Sequence, residues 1–209
     1  MVKNHDSNLN LENFLSQEKI NSVLYSEPFV KVAFIDKLVQ DTKIPVLYLD
    51  FDLLYTGYLT AEVLPRQDHV TVFQPTQETW KKTLTQVLNQ LSTTRSLVIV
   101  DSLNGLFNIQ SEKKEVGRLV LAYTMLLVSV AKTTGSYVVI ASMARYKKEK
   151  GWTLSPPGKR MIELYKAQKI QLEKTDDGIS MNFLDDAGMK KISLTNAIHY
   201  SKFLERNNN

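Results

Sequence analysis

Three acidic residues stand at the ends of apolar, β-branched runs, where a folded sheet would gather them. Asp50 and Asp52 close the run Pro45-Val46-Leu47-Tyr48-Leu49-Asp50-Phe51-Asp52, and Asp101 closes Leu97-Val98-Ile99-Val100-Asp101-Ser102. Carboxylates at neighbouring strand ends can hold a hard cation and its water, which makes Asp50, Asp52 and Asp101 the candidate metal ligands. Strand-terminal Asp also caps turns and helix starts, and that plainer reading is preferred. A second constellation runs from Arg145 to Arg160. Arg145, Lys147, Lys148, Lys150, Lys159 and Arg160 oppose the single acid Glu149, a net of +5, with Tyr146 and Trp152 interleaved. Cations neutralise phosphates and aromatic faces stack on unpaired bases, so this composition suits a single nucleic-acid strand, DNA or RNA, bound without sequence reading. The competing reading is a solvated basic loop whose Trp folds back on the domain.

Composition removes other chemistries. With no Cys there is no disulfide, thiol nucleophile or cysteine-ligated zinc or iron–sulfur site. His5, His69 and His199 have no ligand-like spacing. At 209 residues, 43% hydrophobic and 23% charged, the chain has globular proportions and the length of one domain. Residues 1–10 are polar and lack a signal-peptide core, and the longest nearly apolar run, 119–131, is too short to span a bilayer. The expectation is a cytoplasmic protein without membrane contact, with 119–131 as a buried helix.

The elements that must position these residues alternate two periodicities. Short aliphatic runs at 22–25, 45–51, 70–73, 97–100 and 137–141 read as strands apolar on both faces. Helical spacing covers 29–40 and 76–91, the latter with Trp80, Leu84, Val87, Leu88 and Leu91 on one face and Thr76 as N-cap. Ser26, followed by Glu27 and Pro28, reads as the N-cap of the earlier helix. Runs at 169–174, 179–184 and 190–194 alternate and are separated by Asp176-Asp177-Gly178 and Asp185-Asp186-Ala187-Gly188, which are hairpin signals. The pattern predicts an α/β fold: a mostly parallel twisted sheet flanked by helices, with a C-terminal antiparallel hairpin extension. One domain covers 1–209, divided into an N-terminal segment 1–20, a core 21–174 and a hairpin and tail 175–209. The tails 1–8 and 206–209 read as frayed.

The order of these motifs resembles the core of the RecA-like ATPases, particularly the archaeal RadA recombinase, its shorter paralogues and the KaiC-like proteins. LVIVDSLNGLF is similar to their Walker B strand, and SYVVIASMAR…SPPGKRMIE…KIQLEK to their last core strand, second DNA-binding loop and following hairpin. PVLYLDFD stands where their catalytic carboxylate falls, and the resemblance spans residues 24–184. It implies a RecA-like core, places Asp101 at the Mg²⁺-orienting position and Asp52 at the catalytic Glu, and puts the basic loop at a DNA-contacting position. The family's first DNA loop maps to 108–117, where Lys113, Lys114 and Arg118 are offset by Glu112 and Glu115.

The chain departs from the family at the phosphate loop. G-x-x-x-x-G-K-[ST] uses glycines to curl backbone N–H groups around phosphates, Lys to neutralise them and a hydroxyl to hold Mg²⁺. Residues 26–33, Ser-Glu-Pro-Phe-Val-Lys-Val-Ala, contain no glycine. Without a gap Lys31 falls on the second glycine; with a one-residue deletion it regains the lysine position but Val32 replaces the hydroxyl. Lys31, Asp101 and Ser102 are then vestigial nucleotide-binding residues, and Asp52 and Asp101 vestigial catalytic candidates. The expectation is a non-hydrolysing RecA-like paralogue without a required cofactor, Mg·ATP being disfavoured. Its expected partners are single-stranded DNA or RNA and a RecA-like protein, in an accessory role in recombination and repair. The alternative is a KaiC-like or Elongator-like scaffold working through protein contacts, and the oligomeric state is open. Phe14-Leu15-Ser16-Gln17 lacks the Ala of the family's filament element; Leu9, Leu11, Phe14 and Leu15 are expected to cover their own sheet.

Overall fold

A computed structural model of the chain describes residues 10–112, 114–147, 151–154, 167–176, 178–185 and 188–195. Strands β1 (Asn21–Tyr25), β2 (Val46–Asp50) and β4 (Leu97–Asp101) are buried at every position, as strands covered on both faces must be. With β3 (Val70–Phe73), β5 (Tyr137–Lys147), β6 (Gly151–Leu154), β7 (Gln168–Thr175), β8 (Gly178–Asp185) and β9 (Gly188–Thr195) they form one sheet among the described residues. The order is β3-β2-β4-β5-β1-β7-β8-β9, with β6 pairing to β5 off that path. Pairings from β3 to β7 are parallel, whereas β7-β8-β9 form an antiparallel meander closed at Thr175↔Gly178 and Asp185↔Gly188. The expected hairpin extension is therefore a three-stranded one.

Helices cover both faces. α1 (Pro28–Asp41) and α2 (Leu54–Thr60) pack on one side through Val32, Ile35, Leu38, Val39 and Tyr55 against Val23, Tyr48, Ile99 and Val139. α3 (Trp80–Thr93), α4 (Leu103–Ile109) and α5 (Val116–Thr133) pack on the other through Trp80, Val87, Leu91, Leu106 and Leu127 against Leu47, Val98 and Ile140. At the sheet's far end, Ile170, Leu172, Ile179, Met181 and Ile192 continue the α1-side core.

Four local readings change. Glu27, not Ser26, is the N-cap residue of α1, with no side-chain cap bond; Pro28 at the start supplies the preset φ instead. Regular α3 begins at Trp80, because residues 77–79 form a turn. Thr76 still closes that turn: its N–H donates to Thr79 Oγ1 at 2.8 Å and its Oγ1 accepts from the Thr79 N–H at 3.3 Å. The apolar run at 119–131 lies within α5, which is amphipathic rather than buried all round. Val120, Leu121, Leu127 and Ala131 face inward, while Met125 and Leu126 are exposed. Finally, the basic segment begins as a β-ribbon rather than a loop, β5 continuing to Lys147 and returning through β6. Leu11 and Phe14 cover their own domain, Leu11 buried and the Phe14 ring 5.5 Å from that of Phe183; Leu9 and the tails lie outside the described residues.

Candidate functional site

The carboxyl ends of β1, β2 and β4 and the first turn of α1 converge. Parallel pairing puts Asp50 directly beside Asp101, and the Phe51 N–H donates to the Asp101 carbonyl at 2.6 Å. Lys31, one turn into α1, points down into this junction with only 1% of its side chain exposed. Its ammonium lies 2.5 Å from Asp101 Oδ1 and 3.8 Å from Asp52 Oδ2. The Tyr48 hydroxyl donates to Asp101 Oδ2 at 2.6 Å, so both oxygens of this fully buried carboxylate are taken. Tyr48 is held by stacking on Tyr55, with ring centroids 4.2 Å apart. The Tyr25 ring lies 5.2 Å from the Lys31 ammonium, a cation–π contact in a dry setting.

Burial sets the electrostatics. It pushes the carboxyl of Asp101 up, against the pull of Lys31 and of the Tyr48 hydrogen bond. Asp50 is raised for the same reason, countered by the Thr56 N–H and Oγ1, which donate to its Oδ2 at 2.8 and 2.7 Å. Its other oxygen, Oδ1, has no partner among the described residues. The hydroxyls of Tyr25 and Tyr48 are raised by burial and then by the Asp101 charge, so both stay protonated. Among the described residues, a single buried cation thus answers three carboxylates.

The sequence-derived residues therefore meet. Lys31, Asp50, Asp52, Asp101 and Ser102 lie together, with the Ser102 Oγ capping α4 by accepting the Gly105 N–H at 3.2 Å. The Asp101–Ser102 peptide is cis. Asp50, Asp52 and Asp101 do not share a cation site, however. Among the described residues no group of three or more His, Cys, Asp or Glu is placed to hold a metal ion. The ammonium of Lys31 stands between Asp101 and Asp52, and Thr56 occupies Asp50. Sequence reasoning missed Tyr48 and Gly105. A Cβ at Gly105 would lie 2.5 Å from Asp52 Oδ1 and 2.5 Å from Phe51 Cβ, so α4 approaches the β2–α2 turn as only glycine permits. A buried Tyr in an otherwise aliphatic strand was the available signal for Tyr48, since its hydroxyl needs a partner.

The basic residues occupy a different edge. Arg145, Tyr146 and Lys147 end β5 and Trp152 lies on β6, with Arg145↔Thr153 and Tyr146↔Trp152 in register. Arg145 is exposed, and the Thr153 hydroxyl donates to its carbonyl at 2.9 Å. Lys148, Lys150, Lys159 and Arg160 lie outside the described residues. In the 108–117 segment the acids are engaged, Glu112 by Gln77 Nε2 at 2.8 Å and Glu115 by Arg118 at 2.7 Å, and Lys113 lies outside the described residues.

No family model matches this chain, and no curated protein is similar to it in sequence. Among solved structures, the ATPase domain of a RecA-like replicative helicase superposes with a TM-score of 0.59, over 86% of this chain and 81% of that domain. The fold is RecA-like. At 10% identity the likeness concerns the scaffold and not the chemistry carried on it.

Proposed function

We propose that this chain is a non-hydrolysing RecA-like protein, a paralogue of the RadA and KaiC-like kind, accessory to DNA recombination and repair. In this reading the β5–β6 ribbon binds single-stranded DNA, an active RecA-like protein is a further partner, and the old nucleotide site serves as a structural core. One observation supports it above the rest: the Lys31 ammonium is buried against Asp101. A phosphate-binding lysine must offer its charge to a ligand, and an Mg²⁺-orienting carboxylate must offer an oxygen. Here each satisfies the other.

Mg²⁺-triphosphate does not suit the residues present. Pro28 has no N–H, α1 begins at once behind it with Phe29 and Val30, and the hydroxyl expected after the lysine is Val32. Both Asp101 oxygens are engaged. For the nucleic-acid half, support comes from the +5 charge of residues 145–160 and the facing Tyr146 and Trp152 on the ribbon. Fluorescence anisotropy with labelled oligo-dT across a salt series tests it. Binding should weaken linearly in log salt, with a slope of about −0.7 per phosphate neutralised. Absence of binding at low salt, or binding unchanged when Lys147, Lys148 and Trp152 are replaced by Ala, removes it.

A second reading, a KaiC-like or Elongator-like scaffold, is favoured by the exposed Met125 and Leu126 on α5. Co-purification of a stoichiometric protein partner, together with no affinity for nucleic acid, would select it.

A further inference from the structure

The ion-paired site and the basic ribbon are joined by four consecutive residues. Asp101 takes Lys31 and Tyr48, Ser102 caps α4, and Asn104, in the first turn of that helix, reaches across to β5. Its Oδ1 accepts the main-chain N–H of Met143 at 3.2 Å. The place of this contact in the sheet gives it weight. β5 has its last β4 neighbour at Val100↔Ile140 and its last β1 neighbour at Tyr25↔Met143, while β6 joins only at Ala144↔Leu154. Met143 is thus where β5 leaves the parallel sheet for the ribbon. Backbone donors at such a transition need a partner, and here a helix side chain supplies it instead of a strand. The exposed Arg145 follows two residues later.

We propose that Asn104 is a positioning residue for the basic ribbon, clamping its base so that Arg145 and the residues paired beyond it are presented in one geometry. Because Asn104 shares a turn with the cap that follows Asp101, that geometry is set from within the protein and requires no bound nucleotide. The inference rests on the reading of the ribbon as a single-strand binding surface. The physical gain is preorganisation: a ribbon already ordered does not lose that freedom on binding.

The test uses the full chain, ¹⁵N-labelled, as wild type, Asn104→Ala and Asn104→Asp, with oligo-dT as probe. Asn104→Ala should speed amide exchange at Met143 at least about tenfold. It should weaken oligo-dT binding about tenfold, about 1.4 kcal/mol, with the salt slope unchanged because the same cations take part. Asn104→Asp keeps the acceptor oxygen and should restore slow exchange at Met143, which a loss of packing alone would not predict. Wild-type exchange and affinity in Asn104→Ala overturn the proposal, as does a requirement of the wild-type protein for Mg·ATP to bind oligo-dT. If the wild type binds no oligo-dT with or without Mg·ATP, the ribbon reading fails instead, and exchange at Met143 alone decides whether Asn104 clamps the strand.

Discussion

Replacing Lys31 by Met keeps the length and apolar stem of the side chain and deletes the only buried cation among the described residues of the site. Asp101 then stands with one oxygen bonded to Tyr48 and the other facing no charge, at 0% exposure. Breaking a buried pair from one side costs about 3–5 kcal/mol, because the remaining charge stays desolvated. The 3.8 Å contact to the one-third-exposed Asp52 adds less than about 1 kcal/mol after solvent screening. A total near 4 kcal/mol, at a urea m-value of about 2 kcal/mol/M, lowers the unfolding midpoint by about 2 M. The double variant Lys31→Met/Asp101→Asn carries no buried charge and keeps an acceptor for Tyr48, so it should regain at least about 2 kcal/mol of the loss. The defect has a pH signature as well. Burial already raises the Asp101 carboxyl above its unfolded value, and removing the ammonium raises it further. A group with a raised folded pKa binds more protons folded than unfolded across that interval, so stability declines as pH rises through it. The Lys31→Met deficit should therefore shrink as pH falls. A loss below about 1 kcal/mol, or a double variant no more stable than the single, would show that the pair is not the buried contact described.

Two further perturbations probe neighbouring features. Gly105→Ala forces Asp52 and Phe51 aside and should cost about 1–3 kcal/mol in chemical denaturation; a neutral result would mean that α4 can slide away from the turn. Asp36, 4% exposed on α1, has its carboxyl pushed up to about 6 by burial, eased by the Gln40 amide, and its Oδ1 has no partner among the described residues. Wild-type stability should thus fall relative to Asp36→Asn as pH rises from about 4 to about 6, by up to about 3 kcal/mol, and the two should converge below that window; a pH-independent difference contradicts it.

The parallel sheet was legible because β1, β2 and β4 are aliphatic at nearly every position, and the meander because Asp-rich turns separate alternating runs. The gathering of Asp50, Asp52 and Asp101 followed from strand ends alone. What escaped the sequence depends on approach through space. Lys31 and Asp101 are 70 residues apart, and nothing local says that the lysine points inward. α2 is seven residues long, entered through Leu53 at φ +58 and without a side-chain cap, so it carries no start signal. β6 has only four residues and no alternation to announce it, and its existence follows from β5 continuing past the sheet. The need for Gly105 arises only when α4 meets Phe51 and Asp52.

Titration of the wild-type chain with millimolar Mg·ATP, followed by calorimetry and by the thermal unfolding midpoint, bears most directly on whether Lys31 has been turned from ligand to core. The expected outcome is no heat beyond dilution and an unmoved midpoint, since a nucleotide bound only by the folded state must raise it. Saturable binding that raises the midpoint and vanishes in Asp101→Asn would contradict it.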